Sequence, residues 1–399
     1  MSTIKVDGIR SNSATSDAIT LASDGTCTAN ITNNLSNRNK IINGSMAVSQ
    51  RQTSRTGTGG GDGYFLCDRW RIFSANTSAR FTISQEQDTS GAPGLPYSFK
   101  FDCTTADTSL AASDFLGIQQ KIEGQNVQDF LKGTSSAKKF TLSFYVKTNK
   151  SGVYTVELRD NNNSRQCSKT FTVSDGNWNR YTLSYPADTT GALNNNNNDC
   201  LQVNFWLIAG STYTGGTLNS SGWASQTNAN RVSSSNVNIG DSTSNNFELT
   251  GVQLEVDQTG SGVATDFEHK SYAQELALCQ RYFYRIGDGS NAYQIQGNGF
   301  IGENGSTKCA KIIINPPVPM RAAPTLSVIG TDSFRATAGG TTMTCTATAN
   351  TGGIWGAASS GDIIWLDLGR SGSGDPTIGY GCVVYADNNS SNLSFVSEL

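Results

Sequence analysis

The chain holds one histidine, His269, so any Ser–His or Cys–His nucleophilic pair would have to be built on it. No G-x-S-x-G elbow, the turn that holds a serine exposed for attack, stands in the sequence. The nine cysteines, at 27, 67, 103, 167, 200, 279, 309, 345 and 382, include no C-x-x-C pair. That leaves zinc without ligands at a set spacing, and the odd count predicts reduced, buried thiols. Neither a phosphate-binding loop nor a dinucleotide-binding glycine motif follows any predicted strand. Thirty-two Asp and Glu residues offer many acid pairs for glycosidic hydrolysis, and no spacing selects one of them. The turn Asp160-Asn161-Asn162-Asn163 has oxygen ligands but not the ordered spacing of a calcium loop, so a plain turn is expected. No catalytic residue, cofactor or metal is expected, and the chain is not expected to be an enzyme. Binding chemistry remains. Tyr213 and Trp223 sit in a polar loop at 211–245, and Trp355 sits in GGIWGAASSG. Exposed aromatic rings there would stack on the C–H face of a sugar while Asn and Asp bond its hydroxyls. Trp223 has an alternative role, pinning its own loop to the body beneath.

The elements that must position these residues are strands. Forty-two glycines, the run Asn194–Asn198 and abundant Ser and Thr favour turns and extended chain. With 36% hydrophobic and 9% aromatic residues the chain can still bury real cores. An all-β fold is predicted. Residues 41–268 give about ten strands with clean alternation, as in Phe140, Leu142, Phe144 and Val146, and read as a jelly-roll β-sandwich. Trp70, Trp178 and Trp206 are expected to pack in or beside it. Residues 286–399 read as a C-terminal β-sandwich domain of six or so strands, with Pro316, Pro317, Pro319 and Pro324 marking an edge.

Between the two lies GVQLEVDQTGSGVATDFEHKSYAQELALCQRYFYR, residues 251–285. Val252, Leu254 and Val256 alternate as a half-buried strand, whereas Tyr272, Leu276, Cys279 and Phe283 recur at helical spacing. A short linking helix is therefore expected within 269–285, with His269, Tyr272, Leu276 and Phe283 at the inter-domain junction and His269 capping or packing. Residues 1–40 carry only small apolar sets, Ile4, Val6, Ile9, Ile19 and Leu21, between polar turns. Such a segment cannot bury a core alone. It is expected to be an extended shaft or attachment arm in which three chains cover one another, or an arm that orders on a partner. A formal charge of −3 without a basic cluster excludes a nucleic-acid binder. Without an 18-residue apolar run, membrane insertion is not expected either.

The run VQLEV…ATDFEHKSYAQELALCQRYFYR resembles the junction of bacteriophage tail-fibre and virion structural proteins, where it follows a jelly-roll, carbohydrate-binding-module-like domain and precedes a C-terminal β domain. KVDGIRSNSATSDAITLASDGT, KIINGSMAVSQRQTS (40–54), YFLCDRWRIF (64–73) and PVPMRAAPTLSV (317–328) fit the same family in the same order. The resemblance implies a virion component made in the host cytoplasm. It also implies a homotrimeric tail fibre, joined to other tail or adaptor proteins through its N-terminus and bound to host surface polysaccharide. A structural collar, whisker or capsid decoration protein is the alternative, and a glycan-cleaving tailspike a third reading.

Overall fold

Phe140, Leu142, Phe144 and Val146 lie on one face of the strand Phe140–Thr148, and all four are fully buried. In the computed structural model the described residues are 6–15, 17–29, 36–88, 91–257, 260–287, 293–329, 332–347, 353–354, 360–388 and 391–399. The strand belongs to a six-stranded antiparallel sheet ordered Asn179–Tyr185, Phe140–Thr148, Asn246–Val256, Tyr97–Thr105, Arg80–Gln87 and Ser54–Thr58. A seven-stranded antiparallel sheet packs on it, ordered Ala224–Ser225, Arg165–Val173, Gly152–Asp160, Asp199–Ala209, Phe115–Glu123, Arg71–Ala75 and Gly63–Tyr64. Their inward faces merge into one core that includes Trp70, Phe99, Phe144, Val203 and Leu254. Alternation makes this the expected result, since every second side chain of each strand points into the same layer. At Gly251 the pairing with Phe140–Thr148 slips across Ser143 and Tyr145, and φ is +61°. The positive φ strains any side chain and a Cβ there would lie 2.6 Å from Leu95 Cδ1 and 2.8 Å from Tyr145 Cδ2, so this bulge favours glycine.

The second β unit differs from the expected sandwich in its closure. Its larger sheet runs Thr307–Ile314, Ile295–Asn304, Gly381–Ala386, Phe334–Ala338, Thr341–Thr346 and Ile364–Arg370, with Gly353–Ile354 added on the last strand. Ile364–Arg370 then pairs back with Thr307–Ile314, so the ladder runs full circle around Ile301, Ile312, Phe334, Met343 and Leu366. Closure removes the sheet edges that an open sheet leaves unpaired. A three-stranded sheet of Phe283–Arg285, Asn392–Val396 and Thr325–Ile329 stands beside it.

Near the N-terminus, Gly8–Ile9, Ile19–Leu21 and Cys27–Ala29 form a small antiparallel meander. Val6, Ile9 and Leu21 are 46%, 53% and 39% exposed, and Ile19 is half-buried. Ile4 lies outside the described residues. All nine cysteines are free thiols, eight of them buried and Cys27 exposed. Among the described residues no helix is long and apolar enough to cross a membrane.

Candidate functional site

The helix between the two β units spans Tyr272–Gln280, shorter than the 269–285 segment that sequence spacing suggested. Ser271 caps it, accepting from Gln274 N, while the Gln274 side chain accepts from Ser271 N. The buried face corrects the sequence reading. Cys279 is buried as expected, but Tyr272 is 61% exposed and Leu276 half-buried, while Glu275 and, just past the helix, Tyr282 turn inward. Phe283 is buried but already belongs to the strand Phe283–Arg285. His269 is not the cap: it is exposed, edge-on to the Phe267 ring at 5.1 Å and beside Gly94. It borders a groove of about 600 Å³ whose walls include Lys270, Leu278 and Pro319.

The Glu275 carboxylate faces inward because it accepts from Asn43 N. Asn43, at φ +57°, organises the preceding segment: its Nδ2 donates to Val48 O (2.8 Å) and Asp68 O (3.0 Å), and its own carbonyl accepts from Trp70 Nε1 (2.9 Å). A charge cluster continues from there. Buried Arg69 pairs with Glu398 and lies 3.5 Å over the Tyr282 ring. Arg51 reaches Glu398 at 3.1 Å and Asp68 at 3.5 Å. Arg281 grips Glu123 through two bonds of 2.8 and 2.9 Å, and Tyr282 Oη donates to the same carboxylate at 2.6 Å. Burial pushes Glu123 up, but those donors outweigh it and hold the carboxyl below its usual range. Arg321 ties the 317–328 run in: its N donates to Arg281 O and its Nε to Ser397 O, both at 2.8 Å.

Asp68 is fully buried, and burial pushes its carboxyl up to about 6 despite Arg51 and a hydrogen bond from Gln50. Its folded value therefore exceeds the ordinary carboxylate value of roughly 3.9, and the folded state holds this proton more firmly than the unfolded chain. On that account stability should rise as pH falls from about 7 towards about 4, by about 3 kcal/mol in total at 1.36 kcal/mol per unit. Below that window, protonation of Glu123 reverses the trend. Thermal melting from pH 7.5 to 4.5 checks this: the rise should flatten in Asp68→Asn, and an unchanged slope in that variant would refute it.

An open cleft of about 340 Å³ lies against this cluster, between the sandwich and the small sheet. Tyr64, Phe65 and Phe283 supply its aromatic wall, Arg51 and Arg55 its cations, and Gln52 and Ser327 its neutral polar groups. Arg55 is exposed and lies 4.0 Å over the Phe65 ring, whereas Arg51 covers Phe283 at 3.7 Å. Tyr64 Oη donates to Leu399 O at 3.2 Å, and burial pushes the phenol up to about 12, so it stays neutral. Rings beside fixed donors are suited to an amphipathic, hydroxyl-bearing ligand.

The aromatics expected on the loops are engaged elsewhere. Trp223 is half-buried: its Nε1 donates to Pro186 O at 2.9 Å, its ring meets the edge of Phe140, and Lys132 Nζ stands 5.0 Å from its centroid. It pins its loop, which was the alternative role. Tyr213 is half-buried in a satellite cluster with Phe73, Trp206 and Val232, 5.3 Å from both the Phe115 and Trp206 rings. Trp355 lies outside the described residues. The 211–245 loop folds onto the outer face of the seven-stranded sheet, where Arg231 grips fully buried Glu157 through bonds of 2.8 Å. The Asp160 turn is likewise used internally, accepting from Asn163 N at 2.9 Å and from Lys132. Sequence reasoning did not single out Arg51, Arg55 and Phe65. The only signal was that they fall in or beside the runs 40–54 and 64–73.

No family model matches the chain, and no curated protein matches it. Among solved structures, the enzymatically active domain of tailspike protein 4 from bacteriophage CBA120 aligns with 55% of this chain at 13% identity and a TM-score of 0.28. That alignment spans 21% of the tailspike chain. A carbohydrate-binding module, TmCBM61 in complex with β-1,4-galactotriose, aligns over 55% of this chain and 99% of its own, at 9% identity and a TM-score of 0.29. A putative sugar binding protein from Bacteroides thetaiotaomicron aligns over 55% and 100%, at 14% identity and a TM-score of 0.29. At these scores the likeness carries nothing about ligand or activity.

Proposed function

We propose that this chain is a bacteriophage virion protein, a homotrimeric tail fibre that adheres to host surface polysaccharide without cleaving it. The observation that carries the reading is the junction cleft, in which three aromatic side chains stand beside two guanidiniums and neutral polar groups in an open space of about 340 Å³. Sugars are held by that combination, a ring platform for C–H faces and planar donors for hydroxyls. Four of the runs that resemble phage virion proteins, 40–54, 64–73, 251–285 and 317–328, contribute lining residues to this cleft. The exposed Val6, Ile9 and Leu21 of the meander supply apolar surface that sister chains would cover. Three clefts on one fibre would turn weak single contacts into firm attachment, because linked sites raise effective concentration.

Retention of the purified protein by immobilised host envelope polysaccharide, with light scattering to count chains, tests the reading. Binding by a three-chain particle is expected, and Phe65→Ala should weaken it about tenfold through lost stacking. A monomer that binds no envelope glycan would refute it. A purely structural role in collar or capsid is supported by the buried charge cluster that locks sandwich to barrel. Electron microscopy separates the two, since copies spread over the capsid fit decoration and a distal tail position fits adhesion.

A further inference from the structure

Charge at the junction cleft is unevenly matched. Three guanidiniums, those of Arg51, Arg55 and Arg69, stand against the two carboxylates of Asp68 and Glu398. Glu398 is taken by Arg51 and Arg69 together, and Asp68 is engaged by Arg51 and by Gln50 Nε2 at 2.5 Å. Arg55 is left over. It is exposed, its guanidinium carbon stands 4.0 Å from the centre of the Phe65 ring, and no carboxylate among the described residues forms an ion pair with it.

A guanidinium spread over an aromatic ring is oriented in advance and only weakly hydrated, so an incoming carboxylate can take its fork of donors at low cost in ordering. The group next to it is an apolar wall rather than further charge. A ligand that satisfies both must carry its anion within a bond or two of a C–H-rich ring. Resting on the glycan-binding reading above, we propose that the cleft takes a carboxylated sugar, a uronic-acid type of residue. Its ring lies along the aromatic wall beside Arg55, and its carboxylate is bound by the Arg55 guanidinium standing over Phe65. Arg51, already held by two carboxylates, shapes the cleft and does not supply the free charge. Gln52, whose Nε2 donates to Phe65 O at 3.3 Å, and Ser327 also line the cleft and offer polar groups to ring hydroxyls. A neutral hexose would leave Arg55 unmatched, and a simple polyanion would leave the aromatic wall unused.

The test uses the full chain and three probes measured by calorimetry: an oligoglucuronate, the neutral glucose oligosaccharide of the same length, and polyglutamate. The oligoglucuronate should bind most tightly and weaken as salt is raised from 50 to 500 mM. Arg55→Ala should weaken it about tenfold or more and Arg55→Glu should abolish it, because a charge-assisted pair is lost and then reversed. Arg55→Lys, which keeps charge but not the planar fork, should fall between. Because Arg55 is exposed, these variants are expected to melt with the parent, which separates lost binding from lost folding. Equal affinity for the neutral oligosaccharide, or indifference to Arg55→Ala, would overturn the acidic-sugar inference and leave glycan binding standing. Polyglutamate binding as tightly as oligoglucuronate would overturn it in favour of a plain charge patch. Binding of none of these and of no envelope glycan would remove both readings.

Discussion

Replacing Arg69 by alanine is expected to weaken the join between sandwich and barrel by about 3 kcal/mol, with the barrel unit melting at a lower temperature than the sandwich. Arg69 is 1% exposed and fixed at φ +71°, a left-handed conformation that a long side chain adopts only where its surroundings insist on it. From that position the guanidinium pairs with Glu398, donates to Lys121 O at 2.7 Å and stacks on Tyr282 at 3.5 Å. Its removal leaves the carboxylate short of one partner in a buried place and opens space over the Tyr282 ring. The loss is set near the lower end of the range for broken buried pairs because Arg51 stays 3.1 Å from the same carboxylate. Arg69→Lys keeps the charge but neither the fork nor the stack, so it should recover less than half. Scanning calorimetry reads this as one transition splitting into two. Parent-like melting of both variants would show that the cluster does not hold the two units together.

That join explains where the sequence was informative. The runs 40–54, 64–73, 251–285 and 317–328 are separated by up to hundreds of residues, yet Asn43, Arg69, Glu275, Arg281 and Arg321 meet at one interface. Its buried polar groups need particular partners, which leaves little freedom in residue type and makes such runs recognisable. Strands whose apolar and polar residues alternate were equally legible, as Phe140–Thr148 and Asn246–Val256 show. The half-buried face expected at 252–256 is wrong, however: other elements cover the polar face of both strands, and nearly all their residues are buried. Closure of the barrel was not legible, because the register of Cys309–Ile314 on Ile364–Gly369 is a non-local pairing that no local pattern encodes. Phe334–Ala338 and Asn392–Val396, short and rich in Ala, Ser, Thr and Asn, gave no strand signal.

The site was less legible for a related reason. Polarity of the 211–245 loop suggested solvent and hence free rings at Tyr213 and Trp223. In the fold that polarity is spent on the sheet beneath, where Asn204, Trp206 and Arg231 all donate to Glu157. The helix face failed likewise: Glu275 is buried because Asn43 N waits for it, which hydrophobic spacing cannot express. The charge of Arg55 becomes informative only once Phe283 and Ser327, some 230 and 270 residues on by sequence number, are seen across the same cleft.

Lys132→Met is expected to cost about 3–5 kcal/mol, since it strips the cation from a fully buried ion cluster while nearly preserving volume. Lys132 Nζ pairs with Asp160, lies 3.0 Å from Asp188, and donates to Gly191 O at 2.9 Å and Thr190 O at 3.2 Å. Arg165 holds Asp188 through bonds of 2.8 and 2.9 Å. Burial pushes Asp188 up, and Arg165 and Lys132 together outweigh it, leaving the carboxyl below its usual value. Without Lys132, Arg165 can still serve Asp188, but Asp160 keeps only the Asn163 amides. The orphaned charge, not lost packing, is thus the main cost, and a second change discriminates. Lys132→Met with Asp160→Asn removes both members of the pair and should regain about half of the loss. Urea unfolding of the two variants decides the matter: a double variant no more stable than Lys132→Met would show that the carboxylate is not the group left in need. Because the Trp223 ring stands 5.0 Å from Lys132 Nζ, its fluorescence should report loosening of the 186–193 loop before the sandwich as a whole unfolds.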